Sequence, residues 1–245
     1  MPGPLTDGLA WLVVATFTGG AALDLTGRRR AARGVATAAW ALFAFFWLVL
    51  VPHFAFVQHS IIEGALSLAA VPACLYTGYL LYRGRESLFI VSRAVAVMGL
   101  VYLPFEMFVF LERPLVEAVT RQVEFVLAAL GYHPPVETGH VLGYRNMFVF
   151  VGDSGHRYST EVLMACTGLG SMSIFAGLVV AVRAPLDRKL RALAVALPVI
   201  YVLNVARVTF IALAHGEQWF RLLEGPVLAL FGAGDPNLVS FLIAD

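Results

Sequence analysis

Long runs of apolar residues, separated by short polar segments, make up most of this chain. Several of the runs approach or exceed the ~20 residues that an α-helix needs to cross a bilayer. They predict membrane spans at Leu9–Leu25, Val35–Phe56, Ile61–Tyr82, Leu88–Phe110, Thr167–Val182 and Ala192–Ala214. A further segment, Asn237–Asp245, starts apolar, and we expect it to be the beginning of a last span that is truncated in this sequence.

The composition supports the same class. Of the 245 residues, 60% are hydrophobic and only 13% are charged, whereas soluble domains carry roughly 25% charged residues. We therefore predict an all-α polytopic membrane bundle of about six to seven transmembrane helices, built as a single integral membrane domain over residues 1–245. The net charge is +1 and no basic patch is interleaved with aromatic residues, so a nucleic-acid partner is not expected. Nothing in the sequence indicates an oligomeric state.

The distribution of basic residues predicts the orientation in the membrane. Lysine and arginine gather in three alternate loops, which follow the first, third and fifth predicted spans: Arg28, Arg29, Arg30 and Arg33; Arg83 and Arg85; Arg183, Arg188, Lys189 and Arg191. The positive-inside rule places these loops in the cytoplasm. The N-terminus, the His53–Ser60 turn and a long insertion at about 111–161 are then expected outside.

The insertion has its own predicted structure. Valines recur at helical spacing in Pro114–Leu130, which predicts a helix lying in the membrane interface. Pro134 and Pro135 end that pattern. The stretch "NMFVFVGDSGHRYSTEV", residues 146–162, has two arms around an Asp-Ser-Gly turn signal and predicts a β-hairpin. Its second arm leads directly to Cys166.

Cys166 and Arg207 are predicted to lie at one level of the bilayer. Cys166 precedes Arg183 by 17 residues, which corresponds to about 25 Å of helix. Arg207 follows Arg191 by 16 residues, or about 24 Å. Both are then near the outer edge of a hydrocarbon core ~30 Å thick, on sequential helices that we expect to be antiparallel neighbours. The rotation of each helix about its axis stays open.

The chemistry around Cys166 allows a nucleophile. At the start of a helix, the dipole and free N–H groups lower the pKa of a thiol. Thr167 and Gly168 follow it, and open backbone there, with Asn204 one turn before Arg207, is a candidate support for an oxyanion. The alternative is that the small residues serve helix packing. An arginine within a span costs about 2.5–3.5 kcal/mol, so Arg207 is either functional or a structural ion paired with Glu106.

Other candidate groups are less specific. His215 lies two turns beyond Arg207 and is either a general base or an interfacial histidine. No pair of His or Cys residues has the close spacing of metal ligands, so neither a metal nor a cofactor is expected. Cys74 is predicted to lie roughly 12 Å deeper than Cys166, too far for a disulfide.

Two motifs resemble a known family. "ACTGLGSMSIF" and, about 40 positions later, "LNVARVTFIALAHG" are similar to the archaeosortase/exosortase membrane transpeptidases. The stretches "FWLVLVPHFAFVQHSIIEGALSLAAVPACLYTGYLL" and "SRAVAVMGLVYLPFE" also resemble this family, so the similarity covers most of the chain from about Val35 onward.

The resemblance implies a cysteine protease or transpeptidase in the archaeal cell membrane, with its active site at the extracytoplasmic face. Such enzymes cut a C-terminal sorting signal (a Pro-Gly-Phe motif, a transmembrane helix and a basic tail) of secreted surface glycoproteins, and transfer the new C-terminus to a membrane lipid. Cys166 matches the family nucleophile and Arg207 its first catalytic arginine. The third catalytic residue is expected near position 246, just past Asp245; otherwise His215 takes that role.

Two alternatives remain from the sequence. An intramembrane cysteine protease would use the same residues with water as the acceptor in place of a lipid. A transporter or binding protein would use Arg207 as an anion site, but transporters typically have two repeated halves with interrupted helices, and the sequence has no such symmetry.

Overall fold

A computed structural model describes residues 3–54, 61–152 and 155–220 of the chain. In chain order its elements are α1 (Pro4–Leu25), α2 (Arg29–Pro52), α3 (Ile61–Tyr82), α4 (Phe89–Met107), α5 (Val109–Ala129), β1 (Val136–Thr138), β2 (Arg145–Val151), β3 (Arg157–Glu161), α6 (Leu169–Ala181) and α7 (Leu186–Gly216), with short 3-10 turns at Glu86–Leu88 and Met164–Thr167. The predicted last span at Asn237–Asp245 lies outside the described residues.

Within the described residues, five helical segments are long and apolar enough to cross a membrane: Leu5–Leu25, Arg29–Pro52, Glu63–Tyr82, Glu86–Met107 and Leu186–Gly216. The helix α6 is apolar but has only 13 residues, which is about 20 Å of helix. The prediction of an α-helical, multi-pass membrane protein with a small β element is confirmed.

The fifth predicted span is a shorter helix in the structure than the sequence predicts. A continuous helix was expected over Thr167–Val182, but Gly168 has a left-handed backbone conformation and α6 begins only at Leu169. The next helix differs in the opposite sense, because α7 begins at Leu186 and runs for 31 residues. The charged residues before Ala192 continue this helix because Asp, Lys and Arg are compatible with a solvent-exposed first turn.

The chain forms two compact units, Met1–Met107 with Ser173–Ala194 and Phe108–Met172 with Val195–Asp245. In the first, α1 contacts α2 and α4, and α2 contacts α3. The Phe17 ring meets the Trp40 ring edge-on at 5.1 Å between centroids. The Trp40 indole N–H donates a hydrogen bond to Ser92 Oγ at 2.9 Å. Aromatic packing therefore fills the centre of this bundle.

Two basic loops lie at the same end of the first unit. Arg29 Nη1 is 2.6 Å from Glu86 Oε2, which joins the start of α2 to the turn before α4. At that end a largely buried ion pair also joins Arg93 of α4 to Asp24 of α1. This arrangement is the one that alternate basic loops on one face of the membrane require.

The second unit contains α5 and the sheet. The predicted interfacial helix begins earlier than expected, at Val109, and its apolar face is buried through Val116, Val119, Val123 and Leu127. This face contacts β2. Helix and sheet thus share one small core outside the membrane-spanning candidates.

The predicted β-hairpin is confirmed as β2 and β3, which pair antiparallel from Met147 opposite Glu161 to Val151 opposite Arg157. The sequence reasoning missed β1, which pairs antiparallel with the other side of β2 and makes the sheet order β1-β2-β3. Three residues directly after two prolines show no alternation of apolar and polar positions, so periodicity carried no signal for this strand.

Candidate active site

Cys166 lies in the 3-10 turn Met164–Thr167 and is half-buried. Its backbone N–H donates to the Leu163 carbonyl at 2.9 Å. Thr167, which is fully buried, closes the turn, because its hydroxyl donates to the Met164 carbonyl at 2.7 Å and accepts the Leu169 N–H at 3.3 Å. The hydroxyl of Thr167 therefore shapes the turn that carries the thiol.

Gly168 connects this turn to α6. Its φ of 75° is in the left-handed region that favours glycine. Its carbonyl accepts the Met172 N–H at 3.0 Å, an α-type hydrogen bond at the start of α6. The expectation that Cys166 is at the start of the helix is wrong. Cys166 lies before the first turn of α6, because Gly168 has a left-handed backbone conformation and the helix begins after it.

Asn204 of α7 ties the turn to the following helix. Its side-chain Nδ2 donates a hydrogen bond to the Cys166 carbonyl at 2.6 Å. A Cβ at Gly168 would stand only 2.9 Å from Asn204 Cγ, so the glycine also permits the close approach. The structure thus brings Cys166, Gly168 and Asn204 together.

Arg207 follows Asn204 by three residues on α7 and is exposed. Three residues correspond to about 4.5 Å along the axis and to the same side of the helix. Arg207 therefore lies one turn from the residue that contacts the Cys166 carbonyl. Its role as a catalytic arginine, and the alternative pairing with Glu106, stay predictions.

His215 occupies a different level of α7. It lies eleven residues beyond Asn204, or about 16 Å along the axis. The side chain is buried, and its ring meets the Tyr158 ring of β3 edge-on at 5.8 Å. The next residue, Gly216, lies so close to Phe150 of β2 that a Cβ would be 2.3 Å from the ring. His215 thus belongs to the contact between α7 and the sheet, and a catalytic role stays a prediction.

Asn146 is a positioning residue that the sequence reasoning missed. It is fully buried in β2. Its side-chain Nδ2 donates to the Val162 carbonyl at 2.8 Å, and its backbone carbonyl accepts the Val162 N–H at 2.8 Å. These two hydrogen bonds fix Val162, which is four residues before Cys166, against β2. The available signal was an asparagine at the head of the apolar run "NMFVFV", since buried amides usually have hydrogen-bond partners; here Nδ2 has one, whereas the buried Oδ1 has none among the described residues.

Comparison with known proteins agrees with these motifs. The family described as Transmembrane exosortase (Exosortase_EpsH) matches residues 7–234. The chain belongs to this exosortase family. It is similar to Archaeosortase A of Haloferax volcanii, at 53% identity over 256 residues that cover 100% of this chain and 83% of the relative. It is also similar to Archaeosortase A of Natronomonas pharaonis, at 48% identity over 250 residues, 99% of this chain and 78% of the relative.

No solved structure matches the chain. The archaeosortase/exosortase resemblance predicted from two motifs is confirmed. Membership of this family, together with the apolar helices, supports a sortase-like role in protein processing by a multi-pass membrane protein. The match includes the Cys166 turn and the Arg207 region of α7.

Neither cysteine of this exosortase-family chain forms a disulfide in the described residues; Cys74 is buried in the first unit and Cys166 is half-buried in the second. In the part of the chain that the structure describes, no group of three His, Cys, Asp or Glu side chains could hold a metal ion. At the Cys166 turn the structure shows the thiol, the Asn204 amide and the glycine; Arg207 lies one turn further along α7.

Proposed function

We propose that this chain is a membrane-embedded cysteine transpeptidase that cleaves the C-terminal sorting signal of secreted surface glycoproteins and transfers the new C-terminus to a membrane lipid. The observation that carries the proposal is the 2.6 Å hydrogen bond from Asn204 to the Cys166 carbonyl. It joins the thiol-bearing turn to α7 one helical turn from Arg207, which supports the proposal that this thiol and this cation act together.

The proposed substrate has three parts: a Pro-Gly-Phe motif, a transmembrane helix and a basic tail. The basic loops of the chain favour an outside location for the segment that leads to Cys166. A signal helix anchored in the same cell membrane then presents its extracytoplasmic end, where the Pro-Gly-Phe motif lies, at the level of the thiol. Relatives named archaeosortase support a role in the processing of secreted proteins.

In the first step, the Cys166 thiolate attacks the carbonyl carbon of the scissile peptide bond. The carbon–nitrogen bond then breaks, the leaving nitrogen takes up one proton, and the tail is released as an amine. The product is a thioester between Cys166 Sγ and the new C-terminus. Covalent catalysis of this kind divides one difficult transfer into two easier ones.

In this step Arg207 stabilises negative charge, either on the thiolate or on the oxyanion of the tetrahedral intermediate. The Cys166 N–H is already donated to the Leu163 carbonyl, so it does not serve as an oxyanion donor in this arrangement. A fixed guanidinium aimed at developing charge is the kind of group that stabilises such transition states. Thr167, Gly168 and Asn204 act as positioning residues through the shape of the turn.

In the second step, a hydroxyl of a lipid head group attacks the thioester carbonyl. The carbon–sulfur bond breaks, the hydroxyl proton goes to sulfur, and an ester joins the protein to the lipid. The thiol is regenerated without a net change in redox state. With water as the attacking group, the same step releases a free carboxylate, which is the protease alternative.

The test is the mass of the C-terminus of a tagged substrate that is co-expressed with this chain. We expect wild-type protein to yield a cleaved, lipid-bearing C-terminus, and Cys166→Ala to leave the signal uncleaved. Cys74→Ala is the matched control, because Cys74 is the other cysteine of the chain and is buried in the first unit; it should process normally. Processing by Cys166→Ala refutes the nucleophile, and a free carboxylate as the wild-type product refutes lipid transfer.

A further inference from the structure

An apolar cavity of about 360 Å³ lies in the first unit, between α1, α2 and α4. Aliphatic and aromatic side chains form most of its wall, including Val13, Phe43, Trp47 and Met98. Pockets for small ligands typically measure about 300–1,000 Å³ and are lined mainly by such residues. The proposed reaction uses none of these residues, so the cavity needs its own explanation.

The cavity has polar groups at one end. His53 follows the last turn of α2, and Tyr102 and Glu106 lie in the last turns of α4. Both helices begin at the basic end of the unit, where Arg29 meets Glu86. The polar groups therefore lie at the end away from the basic loops. An apolar body with a polar end is complementary to an amphiphile.

The length of the cavity matches one leaflet of a bilayer. Its lining extends from Phe43 on α2 to Phe54, two residues past the end of that helix, and from Val95 to Glu106 on α4, which is eleven residue steps in each segment. Eleven steps correspond to about 16 Å. Half of a ~30 Å hydrocarbon core is ~15 Å. The length of the cavity is therefore that of the hydrocarbon layer of one leaflet.

The packing of α1 excludes a helix as the occupant. Phe17 contacts Trp40 of α2, and Val14 lies so close to Gly99 of α4 that a Cβ there would be 2.3 Å from a Val14 methyl. A helix is about 10–12 Å wide with its side chains. It would enter only if α1 moved away from α2 or α4, whereas a single hydrocarbon chain fits between them.

We propose that this cavity binds one hydrocarbon chain of a membrane lipid, with the lipid head group at Glu106 and His53. The carboxylate of Glu106 accepts hydrogen bonds from an ammonium or hydroxyl head group, and charge strengthens such a bond. The lipid enters from the leaflet away from the basic loops. The site rests on the first unit alone and is independent of the proposed reaction.

The experiment uses the full chain in vesicles of phosphatidylethanolamine that contain a tracer lipid with the same head group and a diazirine on one acyl chain. After irradiation, labelled positions are mapped by mass spectrometry. We expect labels on cavity residues, in particular Phe43 and Met98. Ala10→Phe, which adds a ring to the buried cavity wall, should lower this labelling at least about tenfold, a change of 1.4 kcal/mol.

Ala15→Phe is the matched control, because Ala15 lies on the same helix and is exposed; cavity labelling should stay at the wild-type level. Thermal unfolding checks that both variants fold. If Ala10→Phe does not fold, the map on wild-type protein decides alone: labels confined to exposed positions such as Leu66 and Leu68 overturn the proposal. Equal cavity labelling in a folded Ala10→Phe variant also overturns it.

Two further arms separate other sources of the signal. A hydrophobic helical peptide with the same diazirine should leave Phe43 and Met98 unlabelled, and strong labelling there by the peptide contradicts the lipid assignment. Cys166→Ala should bind the tracer lipid as wild-type protein does. If wild-type protein processes its substrate but its cavity residues are not labelled by the lipid, the cavity proposal is refuted and the proposed reaction is unaffected.

Discussion

Gly168 carries two independent constraints at the candidate site. Its φ of 75° disfavours any residue with a Cβ, and that Cβ would stand 2.9 Å from Asn204 Cγ. Strained backbone positions of this kind cost of order 1–3 kcal/mol for residues other than glycine. At Gly168 the second constraint adds to the first, because relief of the contact requires Asn204 to move away from the Cys166 carbonyl.

We expect Gly168→Ala to lower the unfolding temperature and to reduce processing of a signal-bearing substrate by about 10²-fold, since small misplacements of a nucleophile have effects of that size. Gly143→Ala is the control, because Gly143 has a φ of 71° and open space around its Cβ position. It should lose the smaller amount of stability that the backbone strain alone costs, and keep its processing rate. Equal processing rates in both alanine variants contradict a positioning role for Gly168.

Arg207 tests whether charge alone is sufficient at the site. Lysine keeps the positive charge but lacks the planar fork of five donors that a guanidinium presents. We therefore expect Arg207→Lys to lose most of its processing activity, by about 10²–10³-fold, the range found when an oxyanion donor is removed. Arg121→Lys on α5 is the control, since Arg121 is an exposed arginine of the same unit. A wild-type rate in Arg207→Lys removes this residue from the assigned machinery.

At the scale of the elements, the segment that connects the sheet to the Cys166 turn is fixed by the buried side-chain amide of Asn146. Replacement of Asn146 by leucine removes the donor to the Val162 carbonyl and leaves that buried acceptor unsatisfied, at a cost of about 1–3 kcal/mol. We expect faster hydrogen exchange in residues 157–167 and a reduced processing rate, because the chain just before Cys166 loses its anchor. Peptide-resolved hydrogen exchange measures the first effect.

Thr160→Val supplies the matched comparison for this junction. Thr160 is buried in β3 and, among the described residues, its hydroxyl makes no hydrogen bond. Removal of a buried hydroxyl without a bond should leave exchange in residues 157–167 unchanged or slower. If Thr160→Val and Asn146→Leu accelerate exchange equally, general loosening of the sheet explains the result and the specific anchor is wrong.

The elements also show what the sequence could and could not predict. The period and the length of the apolar runs were sufficient to predict α1 to α4 and the hairpin, because each of these elements buries one face or crosses the bilayer. They failed where a single residue changes the backbone path. A continuous span through Gly168 is compatible with hydropathy, but hydropathy carries no signal for the left-handed conformation of this glycine or for its close approach to Asn204, which is 36 residues away in sequence.

At the scale of the whole molecule, large apolar side chains are exposed on the helices, as is required of a surface that faces lipid. On α3 the residues Ser67, Cys74 and Leu81 recur every seven positions and are buried, whereas Leu66 and Leu68 are 65% and 56% exposed. A seam of this period packs against one neighbouring helix, and lipid covers the remaining surface. The position of Cys74 in that seam also accounts for a free thiol without a chemical role.

The orientation of the chain gives the last prediction, because the proposed active site requires the Cys166 side to be extracytoplasmic. In a background with Cys74→Ala and Cys166→Ser, we introduce single cysteines as Ser87→Cys, beside the basic loop, and Thr138→Cys, in the insertion; both positions are exposed. A membrane-impermeant maleimide on intact cells should modify the cysteine at 138 and not the one at 87, and both after lysis. The positive-inside rule demands this difference, since Arg83 and Arg85 precede position 87. The reverse labelling places the thiol on the cytoplasmic side, where secreted substrates do not reside, and the assigned reaction is then wrong.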